Sequence, residues 1–419
     1  MSEWQETDFG RIPKDWYLKT VSDIKATDKR AIAMGPFGSN IKAENFVEHG
    51  VPVIRGTNFN FAKYVGGDFV FLTEEKADDL IGSNCKPGDL VFTHRGTIGQ
   101  VGLIPSEKYS RYVISQSGMK LTVNPNLMNS DFLFYFFKSE FGQYQILKYE
   151  SQVGVPSISN PLTSLKEIKV PVPPTPEQKA IAAVLSSLDD KIDLLHRQNQ
   201  TLEAMAATLF RQWFVEEAGE DWEEVSVGNY VELNRSSIDK SYPYKRIQYL
   251  DTGSLSEGKI DCLLYIDLSE APSRAKRLVL HNDIVISTVR PDQRHFGIIK
   301  NPADNMVVST AFCVLTCTKI DPHFIFLLLT NENMTDYLHS IAEGSTSTYP
   351  SLKPSDIYAI VFQLPPKARL KEFGVIANNT CEKIEKNHIQ IRTLSTLRDT
   401  LLPKLMSGAV RVALDRAAA

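Results

Sequence analysis

From Glu177 to Phe214 the chain contains neither glycine nor proline. Within this stretch apolar residues step by four and three: Ile181, Leu185, Leu188, Ile192, Leu195, then Asn199, then Leu202, Ala206, Leu209 and Trp213. A seam of this period, held for about five heptads, specifies a helix whose apolar stripe must be covered by another helix. Pro173, Pro174 and Pro176 stand at its start, where a missing N–H costs nothing. At about 1.5 Å per residue the rod is roughly 57 Å long. A helix of that length in mid-chain connects or spaces something.

The chain supplies the partner itself, through a repeat. At an offset of 192, Pro173-Pro174 returns as Pro365-Pro366, Lys191-Ile192-Asp193 as Lys383-Ile384-Glu385, His196 as His388 and Thr208-Leu209 as Thr400-Leu401. The second seam runs Phe373, Ala377, Thr380, Ile384, Asn387, Ile391, Leu394, Arg398, Leu401, Leu405. Pro403 predicts a kink or an end in its last turns, and Gly408 a stop. The segments before the seams repeat as well. Asp15-Trp16 is echoed by Asp221-Trp222, Gly88-Asp89-Leu90-Val91-Phe92 by Asn282-Asp283-Ile284-Val285-Ile286, Val113-Ile114-Ser115 by Val307-Val308-Ser309, and Pro156-Ser157-Ile158 by Pro350-Ser351-Leu352. The order is globule, rod, globule, rod: residues 1–172, 173–215, 216–364 and 365–410, with a tail at 411–419.

Two helices each too apolar along one stripe to stand in water bury those stripes together. A globule is traversed between them, so an antiparallel pair is the simplest arrangement, giving a pseudo-two-fold molecule. Asn199 and Asn387 then fall in or near the seam, either as buried register-fixing residues or at a solvated edge. Each globule reads as α+β. Strand-like runs lie at Val51–Arg55, Asp89–His94, Gln100–Ile104 and Lys120–Val123, with counterparts at Ile247–Leu250, Asp283–Thr288, Phe296–Ile299 and Ala311–Cys317. Helices are predicted over 130–148 and 321–341.

Bulk properties bound the rest. A chain of 419 residues, 42% hydrophobic, suffices for two or three cores. The longest apolar run, Phe132 to Phe137, is too short to span a membrane, and Met1 to Gln5 shows no export signal. Five scattered cysteines fit a reduced cytoplasmic protein. Residues 216–366 carry 13 basic and 21 acidic side chains, whereas residues 367–419 carry 10 and 5. Binding DNA would therefore require clustering of positive charge on one face.

At this point the residues resemble a known family. Pro173-Pro174-Thr175-Pro176-Glu177-Gln178-Lys179-Ala180-Ile181, Leu188-Asp189-Asp190-Lys191-Ile192 and Phe210-Arg211-Gln212-Trp213-Phe214 resemble the central helix of specificity subunits of type I restriction–modification systems. Thr400-Leu401-Leu402-Pro403-Lys404-Leu405-Met406-Ser407-Gly408 resembles the end of that family's second helix. Gly35-Pro36-Phe37-Gly38-Ser39-Asn40, Val53-Ile54-Arg55-Gly56 and the run from Gly88 to Gly99 resemble its first target recognition domain. The second globule matches more loosely, with Arg290-Pro291-Asp292-Gln293-Arg294 where the first has His94-Arg95-Gly96-Thr97. The resemblance implies two recognition domains joined by two long antiparallel coiled-coil helices. Each domain would read one half of a split site in double-stranded DNA. The helices would set the gap and hold two methyltransferase subunits, and restriction subunits would join. S-adenosylmethionine, ATP and Mg²⁺ would belong to those partners and no cofactor to this chain.

The residues agree with a non-catalytic role. No phosphate-binding G-x-x-x-x-G-K-[ST] loop, Asn/Asp-Pro-Pro-aromatic motif or H-E-x-x-H is present. Gly96-x-x-Gly99-x-x-Gly102 leads into a strand-like run, not a helix, so it is no phosphate cradle. Cys313, Cys317 and His323 read as core residues, since no second pair completes a zinc site. Sequence readers need Arg, Lys, Asn, Gln, Ser and Thr on loops. In the first globule these are Phe37, Ser39, Asn40, Lys42, Arg55, Asn58, His94, Arg95, Thr97, Ser115 and Gln116. In the second they are Lys245, Arg246, Arg274, Lys276, Arg277, Arg290, Gln293, Arg294, His295, Ser345, Thr346 and Tyr349. Ordinary solvated turns are the plain alternative for most of them. A coiled-coil adaptor that joins proteins without touching DNA is the competing function. A stand-alone nuclease or methyltransferase has no visible catalytic constellation.

Overall fold

The computed structural model describes residues 4–7, 10–59, 63–151, 154–345 and 349–413, with Ser39 as backbone alone. It divides into two compact units, one formed by 1–195 with 390–419 and the other by 196–389. Two long helices run through both: a central helix, Thr175–Arg211, and a C-terminal helix, Lys367–Met406. The central helix closes in a single π-helical turn, Gln212–Glu216. The C-terminal helix ends three residues past Pro403, and Gly408 then takes a left-handed φ of 71°. No helix among the described residues is long and apolar enough to cross a membrane.

Within each unit a half of one helix lies antiparallel to a half of the other. In the first, Arg398 Nη1 donates to Asp189 Oδ1 at 2.8 Å, and Arg411 Nη2 to Glu177 Oε2 at 2.8 Å, so one chain advances as the other recedes. In the second, Asn387 donates to Asn199, and Arg369 Nη1 to the Trp213 carbonyl at 3.0 Å. Both asparagines are buried, which decides for a seam position over a solvated edge. Leu185, Ile192 and Leu195 are buried, whereas Leu188, Leu202, Leu209, Ile384, Ile391, Leu394 and Leu401 are half-buried. A two-helix pair covers only one side of each stripe, so these flanking positions keep a water-facing edge.

Each unit builds its main core on its own helix segments. In the first, Trp16, Leu90, Phe92, Met119 and the run Phe132–Phe137 pack with Ile181, Leu185, Leu405 and Met406. In the second, Ile284, Ile286, Phe324 and Ile325 pack with Phe210, Phe214, Phe373 and Ala377. Such clusters, at about 1.5–3 kcal/mol per large apolar side chain, are what hold globule to helix.

The two units share one topology. The first has a four-stranded sheet ordered Ile32–Met34, Gly118–Leu121, Leu90–Thr93, Val101–Leu103; the second has Val231–Leu233, Phe312–Cys317, Ile284–Ser287, Phe296–Ile298. A second sheet is ordered Val70–Leu72, Val51–Ile54, Tyr112–Ile114, Asn84–Cys85 in one unit and Leu264–Asp267, Arg246–Leu250, Met306–Ser309, Ala275–Leu278 in the other. In both sheets the middle two strands are parallel and the outer pairings antiparallel. The match reaches single atoms. Buried Asp89 accepts from the Lys86 N–H at 3.0 Å and Thr122 Oγ1 at 2.7 Å; buried Asp283 accepts from the Leu280 N–H and Thr316 Oγ1, both at 2.7 Å. Burial pushes both carboxyls above the usual range.

One expectation is corrected. The helices expected over 130–148 and 321–341 are each two helices: Ser130–Lys138 with Glu140–Leu147, and Pro322–Thr330 with Glu332–Glu343. Ser139 and Asn331, again 192 apart, are extended and cap the following helix through Gly142 and Met334. Short polar side chains that bond nearby N–H groups compete with helix continuation. At the first break the chain turns so tightly that a β-carbon on Gly142 would fall 2.0 Å from the Phe136 carbonyl oxygen.

Candidate nucleic-acid interface

In the first unit five separated stretches meet on one rim. The Ile54 carbonyl accepts from the Ser115 N–H at 2.9 Å, which sets Arg55 beside Ser115 and Gln116. Gly35 approaches so closely that a β-carbon there would lie 1.8 Å from the Ser115 carbonyl oxygen, placing Gly35-Pro36-Phe37 against the same loop. The His94 N–H donates to the Ser117 carbonyl at 2.9 Å, and His94 Nε2 lies 3.1 Å from the Gln116 carbonyl. The tip then joins the stretch Pro156-Ser157-Ile158: Ile158 N–H to His94 carbonyl at 2.8 Å, Gly96 N–H to Pro156 carbonyl at 2.9 Å. Phe37, Asn40, Arg55, Arg95, Thr97 and Gln116 are exposed on or near this rim, with Ser115 half-buried.

The second unit repeats the joinery at an offset of 194. The Thr288 N–H donates to the Ala311 carbonyl at 2.8 Å, the Leu352 N–H to the Thr288 carbonyl at 2.7 Å, and the Arg290 N–H to the Pro350 carbonyl at 3.0 Å. The Thr310 N–H donates to the Arg274 carbonyl at 2.8 Å, so Arg274 joins the rim. Arg290, Gln293 and Tyr349 are exposed; Arg294, His295 and Ser345 are half-buried. His295 Nδ1 lies 2.6 Å from the Leu255 carbonyl and Nε2 3.2 Å from Gln293 Oε1. The positive-φ positions Gly96 and Gly99, both at 83°, correspond to Arg290 at 48° and Arg294 at 54°. A left-handed conformation costs a residue with a β-carbon about 1–2 kcal/mol.

Several candidate residues stand elsewhere or work for the fold. Asn58 is buried: its Oδ1 accepts the Arg55 N–H at 2.9 Å and its Nδ2 donates to the Gly66 and Asp68 carbonyls, so it shapes the loop that presents Arg55. His94 is buried too, and desolvation holds its imidazole below the usual range, which leaves it neutral and fixing the tip. Arg246, with Lys245 just before it, begins the strand Arg246–Leu250, whose other end lies on the rim side, roughly 13 Å away, and Arg246 pairs with Asp267 at 3.1 Å. Arg277 is half-buried, its Nε without a hydrogen-bond partner; Lys276 beside it is exposed. Lys42 is exposed and pairs with Glu44 at 3.3 Å. Thr346 lies outside the described residues, as does the side chain of Ser39. Burial raises the Cys313 and Cys317 thiols to about 12, so neither is a thiolate ligand at neutral pH. Ser157 and Ser351, which bridge to Arg95 and Val289, were not among the candidates. Their signal was the matched Pro-Ser-apolar triplets.

The motif Pro173–Lys179 also acquires a physical meaning. Glu177 Oε2 accepts from Trp16 Nε1 at 3.0 Å and from Arg411, which also binds Asp15 at 2.7 Å. Gln178, fully buried, accepts the Asn129 N–H at 2.8 Å and donates to the Leu127 and Pro173 carbonyls. One helical turn thus gathers the N-terminal strands, the helical pair and the C-terminal tail of the first unit.

Comparison with known proteins agrees with this architecture. Residues 41–204 match the type I restriction modification DNA specificity domain. The MjaIX specificity subunit of a type I restriction enzyme from Methanocaldococcus jannaschii is 25% identical, over 98% of this chain and 97% of its own. The HindI specificity subunit from Haemophilus influenzae is 28% identical over 43% of this chain and 40% of its own. The crystal structure of a type I restriction-modification system S subunit from M. genitalium superposes with a TM-score of 0.63 at 18% identity, covering 93% of this chain and 96% of that one. Residues 41–204 thus match a type I restriction modification DNA specificity domain, and along nearly its whole length the chain is similar in sequence to a type I restriction enzyme specificity subunit and shares the fold of a type I S subunit.

Proposed function

We propose that this chain is the DNA-specificity subunit of a type I restriction–modification complex, each unit reading one half of a bipartite site in double-stranded DNA. The paired helices set the spacer between half-sites and dock two methyltransferase subunits, and restriction subunits join the assembly. S-adenosylmethionine, ATP and Mg²⁺ serve chemistry in those partners, while this chain supplies recognition.

The observation that carries the reading is the rim built twice. Equivalent backbone bonds in both units hold the same loops together, yet the side chains at the tips differ, Arg95-Gly96-Thr97 against Val289-Arg290-Pro291. A conserved frame with divergent tips is what two readers of two different half-sites require. Docking is supported by apolar side chains left exposed on the helices: Met205, Val375, Ile376 and Ile389 in the second unit, Leu194 and Leu397 in the first.

Mapping of methylated adenines in DNA from cells that express this chain with its methyltransferase tests the reading. A split, asymmetric motif is expected. A contiguous motif, or methylation that does not depend on this chain, overturns it. An adaptor that never touches DNA would give no salt-dependent shift of duplex DNA by the assembled complex.

A further inference from the structure

The two tips share a backbone path but not a residue type. Where the first unit has Gly96 and Gly99, the second holds Arg290 and Arg294 in left-handed backbone on either side of the turn Pro291–Gln293. Glycine adopts that conformation freely and arginine does not. Packing gives no reason for an arginine at 290, because the residue is exposed. Strain of this kind persists where the side chain itself is used.

The two arginines are employed differently. The Arg294 guanidinium lies 3.2 Å from Glu257 and 3.9 Å from Glu332, and its carbonyl accepts the Glu257 N–H at 3.0 Å. Its charge is matched within the protein. Arg290 has no carboxylate in ion-pair range among the described residues. Asp292, two positions on, lies instead 3.3 Å from His339 Nδ1. The Arg290 guanidinium carbon sits 4.9 Å above the Tyr349 ring, and its backbone is pinned to Pro350. Stacking on the ring restrains the fork, and among the described residues no carboxylate compensates its charge.

A phosphate contact needs a cation nearby but little orientation. A fork with a fixed plane matches two acceptors side by side, as guanine presents at O6 and N7 in the major groove. We propose that Arg290, oriented by Tyr349, reads a guanine in the half-site of the second unit, and that Arg294 is a positioning residue for the tip. This rests on the reading of the chain as a DNA-specificity subunit. The first unit, with Gly96 at the same place, has no counterpart.

The test maps methylated motifs in cells carrying the partner methyltransferase with wild-type chain, Arg290→Gly, Arg290→Lys or Tyr349→Leu. Arg290→Gly restores the residue type that suits this φ, so the chain folds and copurifies with its partner. The wild type is expected to require a guanine at one position of one half-site. Arg290→Gly and Arg290→Lys relax that position alone, by roughly 5- to 150-fold in discrimination, and the other half-site is unchanged. Tyr349→Leu relaxes the same position less. If Arg290→Gly keeps the guanine and weakens methylation at every site equally, Arg290 is a phosphate contact and the inference fails while the specificity reading stands. If the wild type gives no split motif, both fail.

Discussion

Asn387 Nδ2 donates to Asn199 Oδ1 at 2.7 Å inside the helix pair of the second unit, and the bond is made in one direction only. Asn199 Nδ2 and Asn387 Oδ1 are buried without a partner. A half-satisfied amide pair is a poor source of stability and a good source of register, because any slip along the heptads would put each asparagine against leucine or isoleucine. Asn387→Leu alone should therefore cost about 1–3 kcal/mol by stranding Asn199. The double replacement with leucine should recover most of that or exceed the wild type. Denaturant titrations of the four chains, read as a double-mutant cycle, measure the coupling. A simple sum of two small losses would show that the bond does not matter.

Asp89 and Asp283 make a second matched experiment, one per unit. Each is buried, each accepts a turn N–H and a threonine hydroxyl, and each has its carboxyl pushed up by desolvation. The folded state thus binds this proton more readily than the unfolded chain, so the charged form lowers stability above the folded-state pKa, and that loss is relieved as pH falls through it. Asparagine keeps the turn acceptor, lets the threonine hydroxyl reverse its role and removes the charge. Asp89→Asn and Asp283→Asn should stay within about 1 kcal/mol of wild type at neutral pH, while the alanine variants lose about 1–3 kcal/mol by stranding the turn N–H. Thermal melts of each pair decide it. Equal losses for asparagine and alanine would mean that the negative charge itself is needed.

These examples show what the sequence carries and what it hides. The heptad seams, the repeat and most strands were legible because apolar periodicity follows directly from geometry. The doubled Asp89 and Asp283 turns were visible as aligned letters but not as buried carboxylates. His94 and Asn58 looked like base readers because their residue types suit that work. Whether a polar side chain turns inward depends on which carbonyls the fold brings near, here Gln116, Gly66 and Asp68. Lys245 and Arg246 formed a basic pair in sequence, yet strand direction carries them to the opposite end of the sheet. The helix breaks at Ser139 and Asn331 were missed because continuous apolar runs mask a local cap.

The buried, neutral imidazole of His94 has a pH consequence. Its folded-state pKa lies below the model-peptide value of 6.5 because burial disfavours the charged ring. The unfolded chain therefore takes up the proton first. Stability from this group is complete above about pH 6.5 and declines as pH falls through that value toward the folded-state pKa. His94→Gln, which can still donate to the Gln116 carbonyl, should flatten this part of the curve. Melting temperatures of wild type and variant between about pH 5 and 8 are expected to converge at the acid end. Parallel curves would mean that His94 titrates alike in both states.

The exposed apolar side chains on the helices separate docking from folding. In the second unit Met205 and Ile376 are 63% and 41% exposed and line one groove with the half-buried seam residues Leu209 and Thr380. Replacing exposed side chains usually changes stability by no more than about 0.5 kcal/mol. Met205→Glu with Ile376→Glu should accordingly leave the melting temperature of the chain nearly unchanged. If this groove holds a methyltransferase subunit, the two added carboxylates would be buried without partners, and copurification should fall at least tenfold. The rims proposed to contact DNA are built from other residues, so an assembly that still forms at high partner concentration should methylate the same motif. A changed motif would place these residues in DNA recognition, and undiminished copurification would move the docking surface elsewhere on the helices.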